Sequence, residues 1–278
     1  MADTNQPKLE DKSKPDVEDE LAGSEAPLLE HLTELRKRLI HSAIAIVALM
    51  ALCFLFAGTI FDVLLNPYRS IYSDPGEMQL IYTAPQEFFF TQLNLAFFGA
   101  VFLGFPYVAS QIYMFVAPGL YKHERKALIP YLIATPVFFL MGAAMVYFVV
   151  LPMALNFFAG MQTSEIKLLA KVSEYLGLAM TLILAFGVCF QLPVILTLLA
   201  QIDLVNVDML KKGRRYAIVG ILATAAFITP PDPVSQIGLA LPMYALYEIA
   251  IISVRMVQKR RAAALAAQDA ELSGSSSE

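Results

Sequence analysis

The 278-residue chain is 58% hydrophobic and 16% charged, with a mean hydropathy of +0.61. A soluble domain carries about 25% charged residues, so an ordinary soluble protein is excluded. The net charge of −4 averages an acidic N-terminal stretch against basic loops and carries no nucleic-acid signature.

Residues 1–27 hold Asp3, Glu10, Asp11, Asp16, Glu18, Asp19, Glu20 and Glu25 with little that is apolar, which predicts a disordered acidic tail. The stretch lacks the basic start and apolar core of a secretory signal, so no cleavage is expected. Leu28, Leu32, Leu35 and Leu39 then recur at helical spacing, with Glu30, Glu34, Lys37 and Arg38 on the other face. This predicts a short amphipathic surface helix running into a first span over residues 39–61. Residues 62–87, with Pro67, Pro75, Gly76 and Pro85, read as a loop long enough for some structure of its own. Residues 88–121 are uncharged and exceed the ~20 residues that cross a ~30 Å hydrocarbon core, so a long, tilted second span kinked at Pro106 is expected. A third span should run to about Leu151 and end at Pro152, followed by a loop to Glu174. A fourth covers residues 175–202 and is broken at Pro193. The fifth apolar run, Tyr216–Thr229, covers roughly 21 Å as a helix, well short of the ~30 Å core. The sixth, Val234–Val254, is interrupted by Glu248. The hairpin between them either has its tip shielded by packed neighbours or thins the bilayer locally. Residues 256–278 read as a flexible tail.

The fold class is therefore all-α: a polytopic membrane protein with one six-helix domain over residues 28–255, its fifth and sixth helices short. Of the 20 Lys and Arg residues, all but Arg69, Lys167 and Lys171 fall on one side of this topology. Short loops rich in Lys and Arg stay cytoplasmic, which puts both termini inside.

No nucleotide-binding or nucleophile motif and no metal spacing appears; His31, His41 and His123 are not arranged as ligands, and Cys53 and Cys189 lie in apolar runs as small buried hydrophobes. No catalytic residue, metal or cofactor is expected. What stands out are carboxylates and amides in places that disfavour them: Glu34 and Glu124 in basic cytoplasmic segments, and Gln111, Gln191, Gln236 and Glu248 within spans. Glu34 and Arg38 are four apart on a helix, and such a pair is worth ~0.3–0.5 kcal/mol. Taken together, Glu34 and Glu124 suit a ligand with two guanidinium groups, since Arg binds carboxylate through two parallel hydrogen bonds and Lys does not. The rival reading is a proton-coupled secondary transporter of a small solute that uses Glu248 and Gln191 along an aqueous path.

Four segments carry a resemblance: His31-Leu32-Thr33-Glu34-Leu35-Arg36-Lys37-Arg38-Leu39, Phe115-Val116-Ala117-Pro118-Gly119-Leu120-Tyr121-Lys122-His123-Glu124-Arg125, Ala185-Phe186-Gly187 to Gln191-Leu192-Pro193, and Thr229-Pro230-Pro231-Asp232 to Ser235-Gln236. Over about residues 27–255 the chain resembles the TatC family, the receptor subunit of the twin-arginine translocase. The resemblance implies a non-enzymatic receptor that binds Arg-Arg signal peptides of folded precursors at the cytoplasmic face, for export driven by the proton-motive force. It implies that Glu34 and Glu124 contact the two arginines with Arg36 and Phe115 in support, and that Pro67 and Asp232 are structural positions on the far side. It also implies TatA and TatB as single-span partners, TatB along the fifth span and the second contact near Gln236, within a larger, self-associating complex in the bilayer. The short hairpin is a family feature and favours local thinning. Several family members carry Glu where this chain has Gln191; a Gln cannot titrate, but its amide still donates and accepts toward a partner helix. The lack of a transit-like segment favours a bacterial plasma membrane over a thylakoid.

Overall fold

The computed structural model describes residues 17–71, 80–116, 129–162, 170–228 and 233–275. They form α1 (Val17–Leu55), α2 (Ala57–Arg69), β1 (Leu80–Ile81), α3 (Glu87–Val116), α4 (Ile129–Met145), a π-helical turn (Val146–Val150), α5 (Leu151–Ala159), β2 (Ala170–Lys171), α6 (Val172–Cys189), α7 (Leu192–Gln201), α8 (Val207–Ile228) and α9 (Pro233–Ser275). Among the described residues, five helical stretches are long and apolar enough to cross a membrane: His31–Leu55, Glu87–Phe115, Pro130–Ala159, Val172–Gln201 and Gln236–Ala263. The protein is thus an all-α, multi-span membrane protein.

Helix α8, which contains the fifth apolar run, packs along α9, which contains the sixth. It is 22 residues long, but Lys211, Lys212, Arg214 and Arg215 occupy its first half, so only its later part is apolar. Helix α9 as a whole is 43 residues; the shortness expected of the sixth helix applies to its apolar part before Arg255, not to the helix. Two further expectations change. The chain is helical from Val17, inside the stretch expected to be disordered, and helical to Ser275, inside the expected flexible tail. A helix already nucleated by a span propagates outward at little further cost, because the unfavourable step is the first turn.

The third span also differs from expectation. Pro152 does not end it; the helix continues to Ala159. The π-turn immediately before Pro152 resets the register, so the proline falls in the first turn of α5, where a missing N–H costs least. The fourth span is broken as expected: Phe190 and Gln191 form a turn and Pro193 opens α7. Pro106 is accommodated inside α3.

The core lies between α2, α3, the π-turn and α6, around Tyr68, Leu95, Val146, Leu151, Leu176 and Phe186. Helices α4 and α6 cross closely because of two glycines. A Cβ on Gly142 would come within 2.6 Å of the Phe186 carbonyl, and one on Gly187 would collide with the Phe139 ring. Helix α1 is peripheral, packed along α3 with Leu39, Ile44, Val47 and Leu55 exposed.

Pro67 is buried in α2 and has no N–H for the carbonyl of Val63, four residues earlier. The Tyr147 hydroxyl, on the π-turn, donates to that carbonyl at 2.8 Å, and Tyr175 donates to the next one, Leu64, at 2.7 Å. At the same end of the bundle, β1 and β2 pair in parallel, Leu80 with Ala170 and Ile81 with Lys171. Glu87 fastens this junction by accepting from Thr83 N–H at 2.8 Å and from Ser173 Oγ at 2.5 Å.

Candidate functional site

At the opposite end, the start of the α1 span meets the end of α3. Glu34 and Arg38 stand one helical turn apart, and Arg38 Nη2 donates to Glu34 Oε1 at 3.2 Å. The other guanidinium nitrogen, Nη1, donates across to α3, to Gln111 Oε1 at 3.3 Å and Met114 Sδ at 3.5 Å. Arg38 is therefore shared between the two helices, and its buried Nε has no partner among the described residues. One turn earlier, the His31 ring stacks on Phe115, with centroids 4.2 Å apart and planes 21° from parallel. Thr33, Glu34, Lys37 and Arg38 border an open cavity of about 460 Å³. The result is a half-exposed carboxylate, pre-oriented by one arginine, at the mouth of a cavity with an aromatic platform beside it.

The structure brings Glu34 and Phe115 to this corner. Arg36 is exposed and, two positions from Glu34, lies on a different face of α1. Glu124 and Asp232 lie outside the described residues. Gln111 stands out in the sequence as a polar residue in an apolar run, but neither its partner Arg38 nor the stacking of His31 on Phe115 has a local sequence signal.

The other flagged residues lie elsewhere. Gln191, at the break between α6 and α7, is buried; its Nε2 donates to the Thr135 carbonyl at 3.0 Å and to the Gly187 carbonyl at 3.3 Å. The Thr135 hydroxyl pairs with Tyr113 at 2.9 Å, so a short polar chain links α3, α4 and the α6–α7 break. Gln236 Nε2 donates to the Leu222 carbonyl at 3.2 Å, tying α9 to α8. Glu248 accepts from Arg214 at 2.7 Å and from Tyr244 at 2.9 Å, a second tie in the same hairpin. Glu248 and Gln191 are thus engaged in separate helix contacts, which leaves the small-solute transporter reading without a supporting arrangement.

Comparison with known proteins agrees with this architecture. The family model described as Sec-independent protein translocase protein (TatC) matches residues 30–242. A TatC of Magnetococcus marinus is 44% identical over 246 residues, covering 88% of this chain and 90% of the relative. The Escherichia coli TatC is 37% identical over 229 residues, covering 82% of this chain and 88% of its own. A crystal structure described as the twin arginine translocase receptor TatC superposes with a TM-score of 0.74 at 33% identity, covering 82% of this chain and 99% of the other. The chain belongs to the TatC family of Sec-independent protein translocase proteins.

Proposed function

We propose that this protein is the receptor and core subunit of a twin-arginine translocase, and that Glu34 takes one guanidinium of an Arg-Arg signal peptide. The protein is a translocase subunit, not an enzyme. The observation that carries the site is the Glu34–Arg38–Gln111 arrangement at a cavity mouth. An i,i+4 ion pair this exposed is worth only ~0.3–0.5 kcal/mol, so an incoming arginine can displace Arg38 from Glu34 at little cost. Arg38 would then keep Gln111 and Met114 as partners instead of being left bare. The incoming guanidinium gains two parallel hydrogen bonds to a carboxylate, which a lysine ammonium cannot reproduce.

By family likeness, Glu124 takes the second guanidinium, with Arg36 and Phe115 in support. Phe115, already stacked on His31, offers an apolar face beside the site. The orientation proposed has both termini in the cytoplasm of a bacterium, with the chain in the plasma membrane. TatA and TatB are the proposed single-span partners: TatB along α8, the second contact near Gln236, and Gln191 as a polar position toward an incoming helix. Pro67 and Asp232 are proposed as structural positions on the far side, where Pro67 sets the hydroxyl contacts of α2.

Photocrosslinkers placed at positions 33, 37 and 191, which leave Glu34 and Phe115 intact, and offered a labelled twin-arginine precursor test the reading. Strong adducts are expected at 33 and 37, lost when the precursor carries Lys-Lys. Glu34→Ala and Glu124→Ala should abolish crosslinking at position 37 while the protein still inserts. Unchanged crosslinking in both variants would reject the site.

A further inference from the structure

A second site lies at the same end of the bundle, in a groove of about 260 Å³ between α4, α7 and α9. Its floor is apolar, formed by Ala134, Phe138, Val194 and Val257. Tyr131, in the first turn of α4, and Arg260, about 10 Å along α9 from the lining Ser253, mark its polar end. Arg260 is exposed and makes no ion pair or hydrogen bond among the described residues. Its neighbour is in the opposite situation. Arg261 Nη1 bonds Asp203 Oδ2 at 2.6 Å and the Gln201 carbonyl at 3.3 Å, clamping α9 to the end of α7. Asp203 reaches that position with a φ of 58°, a left-handed conformation that Asp tolerates better than most residues. The clamp fixes the rotation of α9 and so holds the adjacent guanidinium at the groove mouth.

We propose that this groove binds an anionic phospholipid. One acyl chain lies on the apolar floor, and the headgroup phosphate accepts hydrogen bonds from Arg260 and Tyr131 at the polar end. An outward groove in a membrane protein is filled by acyl chain, and an unpaired cation at its polar end selects the headgroup by charge. The site is independent of the peptide-binding reading, since Glu34 and its partners lie on α1 and α3.

The test is native mass spectrometry on the full-length protein in detergent, with added phosphatidylglycerol, phosphatidylcholine or inorganic phosphate. The wild type should retain phosphatidylglycerol about fivefold more than phosphatidylcholine, the contribution of one basic residue. Arg260→Gln should bring the two lipids level. Lys259→Gln, which removes an equal charge from an adjacent position outside the groove lining, should leave the preference intact. Ala134→Leu, which fills the floor, should lower retention of both lipids. Equal loss in Arg260→Gln and Lys259→Gln would mean a non-specific basic surface and would overturn the site. Displacement of the lipid by an equal concentration of inorganic phosphate would overturn it in favour of a simple anion site.

Discussion

Two of the carboxylate–arginine pairs at the basic end of this bundle, Glu248–Arg214 and Glu34–Arg38, do different work. Arg214 and Glu248 join two helices, α8 and α9, with Tyr244 as a third member. Glu34 and Arg38 sit on one helix, and only Arg38 reaches across to α3. Releasing the first pair loosens a hairpin. Releasing the second leaves α1 and α3 joined through Arg38 and Gln111, so Glu34 is available without any helix moving. The lesson is that a carboxylate can be read as receptor or as tie from what happens to its arginine when the pair opens.

Charge exchange separates the two pairs most sharply. Exchanging Glu34 and Arg38 (Glu34→Arg with Arg38→Glu) keeps a local ion pair but moves the carboxylate one turn along α1, to the position that faces Gln111 and Met114. Precursor binding should fall more than tenfold and stay down in the double variant, as read by crosslinking yield; recovery would place Glu34 among the ties. A second test lies away from both pairs. Tyr147→Phe removes the donor that serves the carbonyl orphaned by Pro67 and should lower stability by about 1 kcal/mol in a denaturation series in detergent, with precursor binding unchanged. The Arg214–Glu248 exchange should behave in the opposite way to the Glu34–Arg38 one. Each single reversal should cost about 0.5 kcal/mol of stability, and the double should recover most of it, because a tie is indifferent to which helix carries which charge. The smallest effect is expected for Gln111→Leu. Without its second partner Arg38 holds Glu34 more fully, and peptide affinity should drop about twofold, measured by competition.

Much of the architecture was legible because apolar run length is a strong signal in a membrane protein. The break at Pro193 and the short apolar part of α8 followed directly from residue types. Pro152 misled, because a proline read in isolation ends a helix, whereas the π-turn at Val146–Val150 places it in a first turn. The two-residue strands β1 and β2 are invisible locally; their pairing joins Leu80 to Ala170 across the whole middle of the chain. The site divides in the same way. The Glu34–Arg38 pair is a spacing of four and could be read. The Arg38–Gln111 bond spans 73 positions, and no sequence period encodes it. The stacking of His31 on Phe115 is hidden for the same reason.

A double-mutant cycle measures whether Glu34 meets an arginine guanidinium of the signal peptide. Peptides carrying Arg-Arg or Lys-Lys are titrated against the purified protein with Glu34 intact or changed to Gln. A coupling of about 1 kcal/mol or more between the two changes is predicted, since each removes the same bidentate bond. Effects that add to within about 0.3 kcal/mol would show that Glu34 and the peptide arginines do not touch, and would remove Glu34 from the binding site.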